Sequence, residues 1–147
     1  MSDFNSLFYV CSLIEFIGRV RKLRREDVVA ALGEETLRRI YRYADTFHCE
    51  PIAKVADDFI RLKDILEGDF DNVSACKYAV PSYWDIGAVF ARLIEDVSAE
   101  HDNPVEKLIE VYSSWMTEAI SRFNSDLFYQ SREYIALSYK AGHLLAA

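Results

Sequence analysis

Apolar side chains recur at steps of three and four along almost the whole chain, and that is the helical period. In residues 3–23 they fall at Phe4, Leu7, Phe8, Cys11, Ile14, Ile17 and Val20, with Val10, Leu13 and Phe16 widening the stripe. A stripe this broad predicts a central helix touched by several others. Glu15 and Arg19 stand four apart on it and predict an i,i+4 ion pair.

Residues 25–32 predict a short second helix, closed by Gly33 as a left-handed cap. Glu34 and Glu35 suit the positive end of a third helix, which the pattern carries to Phe47 with Leu37, Ile40, Tyr41, Ala44 and Phe47 on one side. Pro51 belongs in the first turn of a fourth helix. Its stripe is Ile52, Val55, Ala56, Phe59, Leu62 and Leu66, and Gly68 ends it.

Turn-forming residues crowd the next stretch: Gly68, Asp69, Asp71, Asn72 and Ser74, with Pro81 closing it. Val73, Tyr78 and Val80 predict that this connector packs down. Ser82 and Asp85 form a capping pair for a fifth helix. Asn103-Pro104 opens a sixth, whose stripe runs Val105, Leu108, Ile109, Tyr112, Trp115, Met116, Ile120 and Phe123 without a break. A last helix spans about 127–141. No alternating stretch predicts a strand. The pattern predicts an all-α fold of about seven helices in a compact bundle. Its two packed sub-parts are residues 1–68 and 82–147, joined by an irregular connector at 69–81.

Of 147 residues, 51% are hydrophobic and 28% charged, the balance of a globular chain with a real core. The net charge of −7 is uneven. Residues 1–50 carry eight Lys/Arg and eight Asp/Glu, whereas residues 51–147 carry nine and sixteen. The acidic part disfavours nucleic acid and anionic membranes. Cys11, Cys49 and Cys76 are odd in number and far apart, as in a reduced cytoplasmic protein. Neither a leader pattern nor an apolar run of about 20 residues is present, so no membrane association is expected.

Candidate chemistry is sparse. His48 and Cys49 are adjacent, but a metal needs about four ligands at compatible spacing, and His101 and His143 supply none. Neighbouring residues also point apart, which disfavours a Cys–His nucleophile pair. Asp57-Asp58 opens like a diphosphate-binding acidic motif, but Arg61 stands where a third carboxylate would be and predicts an ion pair with Asp57. Glu95, Asp96, Glu100, His101 and Asp102 straddle a helix end. No phosphate loop, nucleophile elbow or zinc-protease motif occurs. The expectation is therefore a protein that is not an enzyme and needs no catalytic residue, cofactor or metal. An enzyme with a cleft between the sub-parts, using Glu95, Asp96 or His101, is kept as an alternative.

Residues 25–43 also have the outline of a helix-turn-helix, with Arg38, Arg39 and Arg42 on the second helix and the basic run Arg19, Arg21, Lys22, Arg24 and Arg25 before the first. Glu26, Asp27, Glu34 and Glu35 crowd the same region and weigh against it. A DNA-binding regulator that uses Arg38, Arg39 and Arg42 is the leading alternative.

The segments 8–15 (FYVCSLIE), 25–32 (REDVVAAL) and 40–48 (IYRYADTFH) resemble an uncharacterised short bacterial helical domain family over about residues 7–60. Its third helix typically ends in a Tyr-Asp-x-Leu-His pattern. Here Ala44 stands for that Tyr and Phe47 for that Leu. Genes of the family often neighbour a predicted ADP-ribosyltransferase-like domain, so the resemblance implies a toxin–antitoxin or accessory role. Residues 82–140 resemble a second bacterial helical segment through the stretches 84–87 (WDIG), 111–115 (VYSSW) and 123–125 (FNS). The expected function is a non-catalytic protein–protein interaction module in the bacterial cytoplasm. Its partner would be another protein with a basic surface, and a homodimer is a further alternative. Residues off the core stripes are the expected contacts: Tyr43, His48, Tyr83, Tyr129 and Tyr134.

Overall fold

A computed structural model describes residues 3–146. The chain forms an all-α bundle of eight α-helices and one 3₁₀ turn among these residues. They are α1 (Asp3–Arg21), α2 (Arg25–Arg42), α3 (Ala44–Phe47), α4 (Ile52–Leu62), α5 (Tyr83–Val97), α6 (Pro104–Tyr112), α7 (Trp115–Ser121), the 3₁₀ turn Leu127–Tyr129, and α8 (Arg132–Ala141). Two clusters, α1–α4 and α5–α8, pack on each other. The main seam is α1 against α5, and α2 reaches across to α6.

The wide stripe of α1 explains its place. Leu7, Val10, Cys11, Leu13, Ile14 and Ile17 are all buried, and the core around them runs without a gap into Ile86, Phe90, Leu93 and Ile94 of α5. α1 and α5 approach closely because Gly87 lacks a side chain: a Cβ there would stand 2.9 Å from both the Cα and the backbone nitrogen of Ser12.

Local signals set several boundaries where the pattern places them. Ser82 and Asp85 form a reciprocal capping box: the Asp85 N–H donates to Ser82 Oγ at 3.0 Å, and the Ser82 N–H donates to Asp85 Oδ2 at 2.9 Å. Asn103 Oδ1 accepts from the N–H groups of Val105 and Glu106.

Within α2 the predicted break between the second and third helices falls at Gly33, where the helix is kinked. Gly33 is its only non-helical residue, at φ 81° and ψ 159°, which is extended backbone on the positive-φ side and not a left-handed cap. Elsewhere the periodicity misleads. The predicted third helix stops at Arg42, and residues 44–47 form a separate turn of helix. The predicted sixth helix breaks at Ser113–Ser114. Ser114 Oγ and Thr117 Oγ1 both donate to the Val111 carbonyl, at 2.6 and 3.0 Å, and Ser114 Oγ also accepts from the Met116 N–H. Hydroxyls that compete for helix carbonyls in this way turn the chain while the apolar stripe continues. The last helix starts at Arg132, capped by Ser131, and residues 127–129 form the 3₁₀ turn before it.

Two stripe residues of the predicted fourth helix are also misplaced. Leu62 is 61% exposed and Leu66 81%, while Ile65 is buried. α4 ends at Leu62, and Asp64 turns the chain at φ 50°, so the helical count is lost before Leu66. Val20, expected on the α1 stripe, is half exposed.

The connector is tied down. The Gly68 and Phe70 N–H groups donate to the carbonyls of Arg21 and Lys22, at 2.8 and 2.9 Å. Asn72 Nδ2 donates to the Ser121 carbonyl, and Asn124 bonds the backbone of Ala75 and Lys77. Val73 packs against the core, but Tyr78 and Val80 face outward.

Candidate functional site

The titratable groups nearest the centre are a locked structural set. Glu15 does not pair with Arg19. Its Oε1 accepts from Arg25 Nε at 2.9 Å, with the two side chains 1% and 2% exposed. Glu15 Oε2 accepts from the Tyr112 hydroxyl at 3.3 Å, and the Tyr112 ring stacks on Phe90 at 4.2 Å. Arg25 lies flat over Gly18, where a Cβ would stand 2.6 Å from its Cδ and Cζ. Burial pushes the Tyr112 phenol and the Cys11 thiol beside it well above their usual ranges, so both stay protonated. A buried neutral thiol is inert.

The basic run before α2 is also largely spent on structure. Arg19 donates to the Pro81 carbonyl and lies 5.5 Å from the centre of the Phe123 ring, while Arg24 covers the Phe70 ring at 4.6 Å. Burial, and then the neighbouring Arg25, hold the Arg19 guanidinium below its ordinary range.

Glu95 and Asp96 are both taken by Arg132, which donates to Glu95 Oε1 at 2.8 Å and to the two Asp96 oxygens at 2.9 and 2.7 Å. This joins α8 to α5. His101 lies exposed in the turn beyond. His48 Nδ1 and Cys49 Sγ both turn to the Asp45 carbonyl, at 2.6 and 3.4 Å. Asp57 and Arg61 make the expected ion pair at 3.0 Å. Among the described residues no group of three His, Cys, Asp or Glu is arranged to hold a metal ion, and no helix is long and apolar enough to cross a membrane.

Among the described residues two larger grooves open on the surface, beside smaller recesses such as one of about 270 Å³ lined by Arg38, Tyr41 and Arg42. The first is aromatic. It lies where the connector meets the turn after α7, in two adjoining recesses of about 570 Å³ each that share Phe123, Asn124 and Ser125. Phe70, Tyr78, Phe128 and Tyr129 line it as well. Tyr78 is 69% and Tyr129 75% exposed. The same lining holds Asp69, Asp71, Glu118 and Asp126 against Arg24 and Arg122, so its charge leans acidic.

The second groove is basic. It lies between the end of α2 and the end of α4, measures about 720 Å³, and is lined by Arg38, Arg39, Arg42, Tyr43, Leu62 and Lys63. Glu35 and Thr36 complete the lining.

The expected contact residues therefore divide. Tyr43 sits in the basic groove and Tyr129 in the aromatic one. His48 is exposed but in neither. Tyr83 is half-buried, edge-on to Phe16 at 5.1 Å and tilted against Trp84 at 4.9 Å. The Tyr134 hydroxyl donates to the chain's own Leu145 carbonyl at 2.7 Å and so pins the C-terminal tail. Arg38, Arg39 and Arg42 share one groove, as their i, i+1, i+4 spacing allows, but Arg38 is bound to Glu34 and Glu106. Tyr78, Leu62 and Lys63 were not anticipated as surface-site residues. Tyr78 lies within a turn-rich segment, the one local sign that it could face outward. No protein family, curated protein or solved structure matches the chain.

Proposed function

We propose that this chain is a non-catalytic protein-binding module of the bacterial cytoplasm that docks another protein through its aromatic groove. The observation that carries this is the placement of Tyr78 and Tyr129. Two largely exposed tyrosines flank a recess floored by Phe123 and Phe128. Such rings supply large contact area with little side-chain entropy to lose, which makes them favoured anchors at interfaces. The acidic lean of the lining favours a partner face rich in Lys or Arg, since complementary charge speeds encounter and selects the partner. An antitoxin-like or accessory role beside an ADP-ribosyltransferase-like enzyme fits the family resemblance. A small acidic module that covers a basic cleft is a physically reasonable inhibitor.

The test is calorimetric titration of this chain into an ADP-ribosyltransferase-like protein of the kind the resemblance implies as its gene neighbour. Saturable binding is expected, weakened by about 2 kcal/mol or more in the Tyr78→Ala/Tyr129→Ala double variant. No binding by the unaltered chain, or equal binding by the double variant, overturns the proposal.

A further inference from the structure

We infer that the basic groove between α2 and α4 is a second docking surface, which receives an acidic segment of a partner protein that carries an aromatic or aliphatic side chain. This rests on the partner-binding reading only in taking the occupant to be a protein, and it uses a different face.

The first support is the pairing of charges. This chain has 24 Asp and Glu against 17 Lys and Arg, so carboxylates are plentiful. Arg38, Arg61, Arg122 and Arg132 each bind one or two of them. Arg39, Arg42 and Lys63 show no such bond, although all three line one recess. With Arg38 held by Glu34 and Glu106, three unpaired cations there face one carboxylate of the lining, Glu35. The ends of α2 and α4 both lie at this groove, and a cation in a last turn is favoured by the helix dipole. That accounts for a charge at each helix end. It does not account for the apolar surface beside them.

The second support is that apolar surface. Leu62 is 61% and Tyr43 48% exposed, and both line the same recess as the unpaired cations. An acidic segment with an apolar anchor matches this mixture: guanidinium groups hold carboxylates bidentately, while the anchor covers Leu62 and the Tyr43 ring.

The third support separates protein from nucleic acid. A helix-turn-helix joins its helices by about three to four residues, so that the second helix stands proud and enters the major groove. Here Gly33 alone interrupts α2. Arg39 and Arg42 lie in a recess against α4 rather than on a projecting helix face. The whole-chain charge of −7 opposes a polyanion at long range, whereas a short acidic segment meets chiefly the local field.

The test uses a fluorescein-labelled synthetic peptide of alternating Glu and Asp around a central Phe-Leu pair, read by anisotropy at low salt. A peptide with Gln and Asn in place of the acids, and a labelled DNA duplex, are run beside it. The acidic peptide should bind saturably and about tenfold more tightly than the neutral one. Arg39→Ala/Arg42→Ala should remove that advantage, and Leu62→Ser should weaken both peptides, since both carry the apolar anchor. The Tyr78→Ala/Tyr129→Ala variant should bind it unchanged, so failure of the aromatic groove as a docking site would leave this assay intact. Both groove residues replaced in the arginine variant are exposed, and an unchanged far-UV spectrum would confirm its fold. Equal binding of acidic and neutral peptides overturns the inference. So does an arginine variant that still prefers the acidic peptide, or a duplex that binds more tightly through the same arginines.

Discussion

Arg25 Nε and Glu15 Oε1 meet at 2.9 Å across ten residues of chain, with both side chains closed off from solvent. The pair ties the start of α2 to the middle of α1, and Tyr112 extends it to α6 in the other cluster. Removing one partner leaves an uncompensated charge in the core. Arg25→Leu is therefore expected to cost about 3–5 kcal/mol, and Glu15→Leu/Arg25→Leu to recover much of that loss. Urea unfolding of the two variants measures this. Equal destabilisation by both would show that the pair is not an isolated electrostatic unit.

Space beside two glycines gives a second expectation. At Gly18 a methyl group would strike the Arg25 guanidinium, and at Gly87 it would meet the backbone of Ser12. Overpacking of this kind costs about 1–3 kcal/mol. Gly87→Ala should reach the upper part of that range, because backbone yields less than a side-chain end. Thermal unfolding of both variants tests the order.

Alkali should destabilise the fold. Burial, with help from Glu50, pushes the Tyr9 phenol up to about 12, and burial raises the Cys11 thiol and the Tyr112 phenol as well. In the unfolded chain a thiol releases its proton near about 8.5 and a phenol near about 10. Above those values the native state holds protons that the unfolded state has lost, so stability falls as pH rises. The urea midpoint should drop progressively from about pH 8.5 upward. The Tyr9 hydroxyl has no hydrogen-bond partner in its buried site. Tyr9→Phe should thus leave neutral-pH stability unchanged or raise it by up to about 1 kcal/mol, and should flatten the fall above about pH 10. A midpoint that climbs with pH would contradict the sign.

Tyr78→Ala and Tyr129→Ala should be nearly silent in the isolated chain, since substitutions at exposed sites usually change stability by less than about 0.5 kcal/mol. A melting temperature that stays put while partner affinity falls would place both rings in recognition. A large drop in melting temperature would instead make them structural.

Ser114→Ala probes the break between α6 and α7. Loss of the cap on Met116 should cost about 0.5–2 kcal/mol. The cost would be smaller if α6 and α7 could rejoin as the one helix that the apolar stripe describes, and helix content by circular dichroism distinguishes the two results.

The sequence carried the fold class because helical periodicity is local: the α1 stripe, the capping box at Ser82 and the cap at Asn103 need no knowledge of distant residues. It misjudged breaks where the stripe runs on but hydroxyls take the helix carbonyls, as at Ser114. It also misjudged burial past Leu62, because one left-handed residue at Asp64 discards the helical count. The candidate site was legible only in part. Tyr43, Tyr129 and the three arginines could be read as off-stripe, but which of them share a groove depends on how α4 and the connector fold back.

By itself, then, the chain's residue order determined an acidic, all-helical protein with its charge surplus in the second half and aromatic residues to spare. Only tertiary packing decided that Glu15 would choose Arg25 over Arg19, since a four-residue neighbour on the helix surface competes poorly with a partner that is brought into the same dry interior. The same packing sorted the tyrosines, burying the Tyr112 ring, tying Tyr134 to the tail and leaving Tyr78 and Tyr129 facing outward, because exposure belongs to neighbours that are remote in sequence.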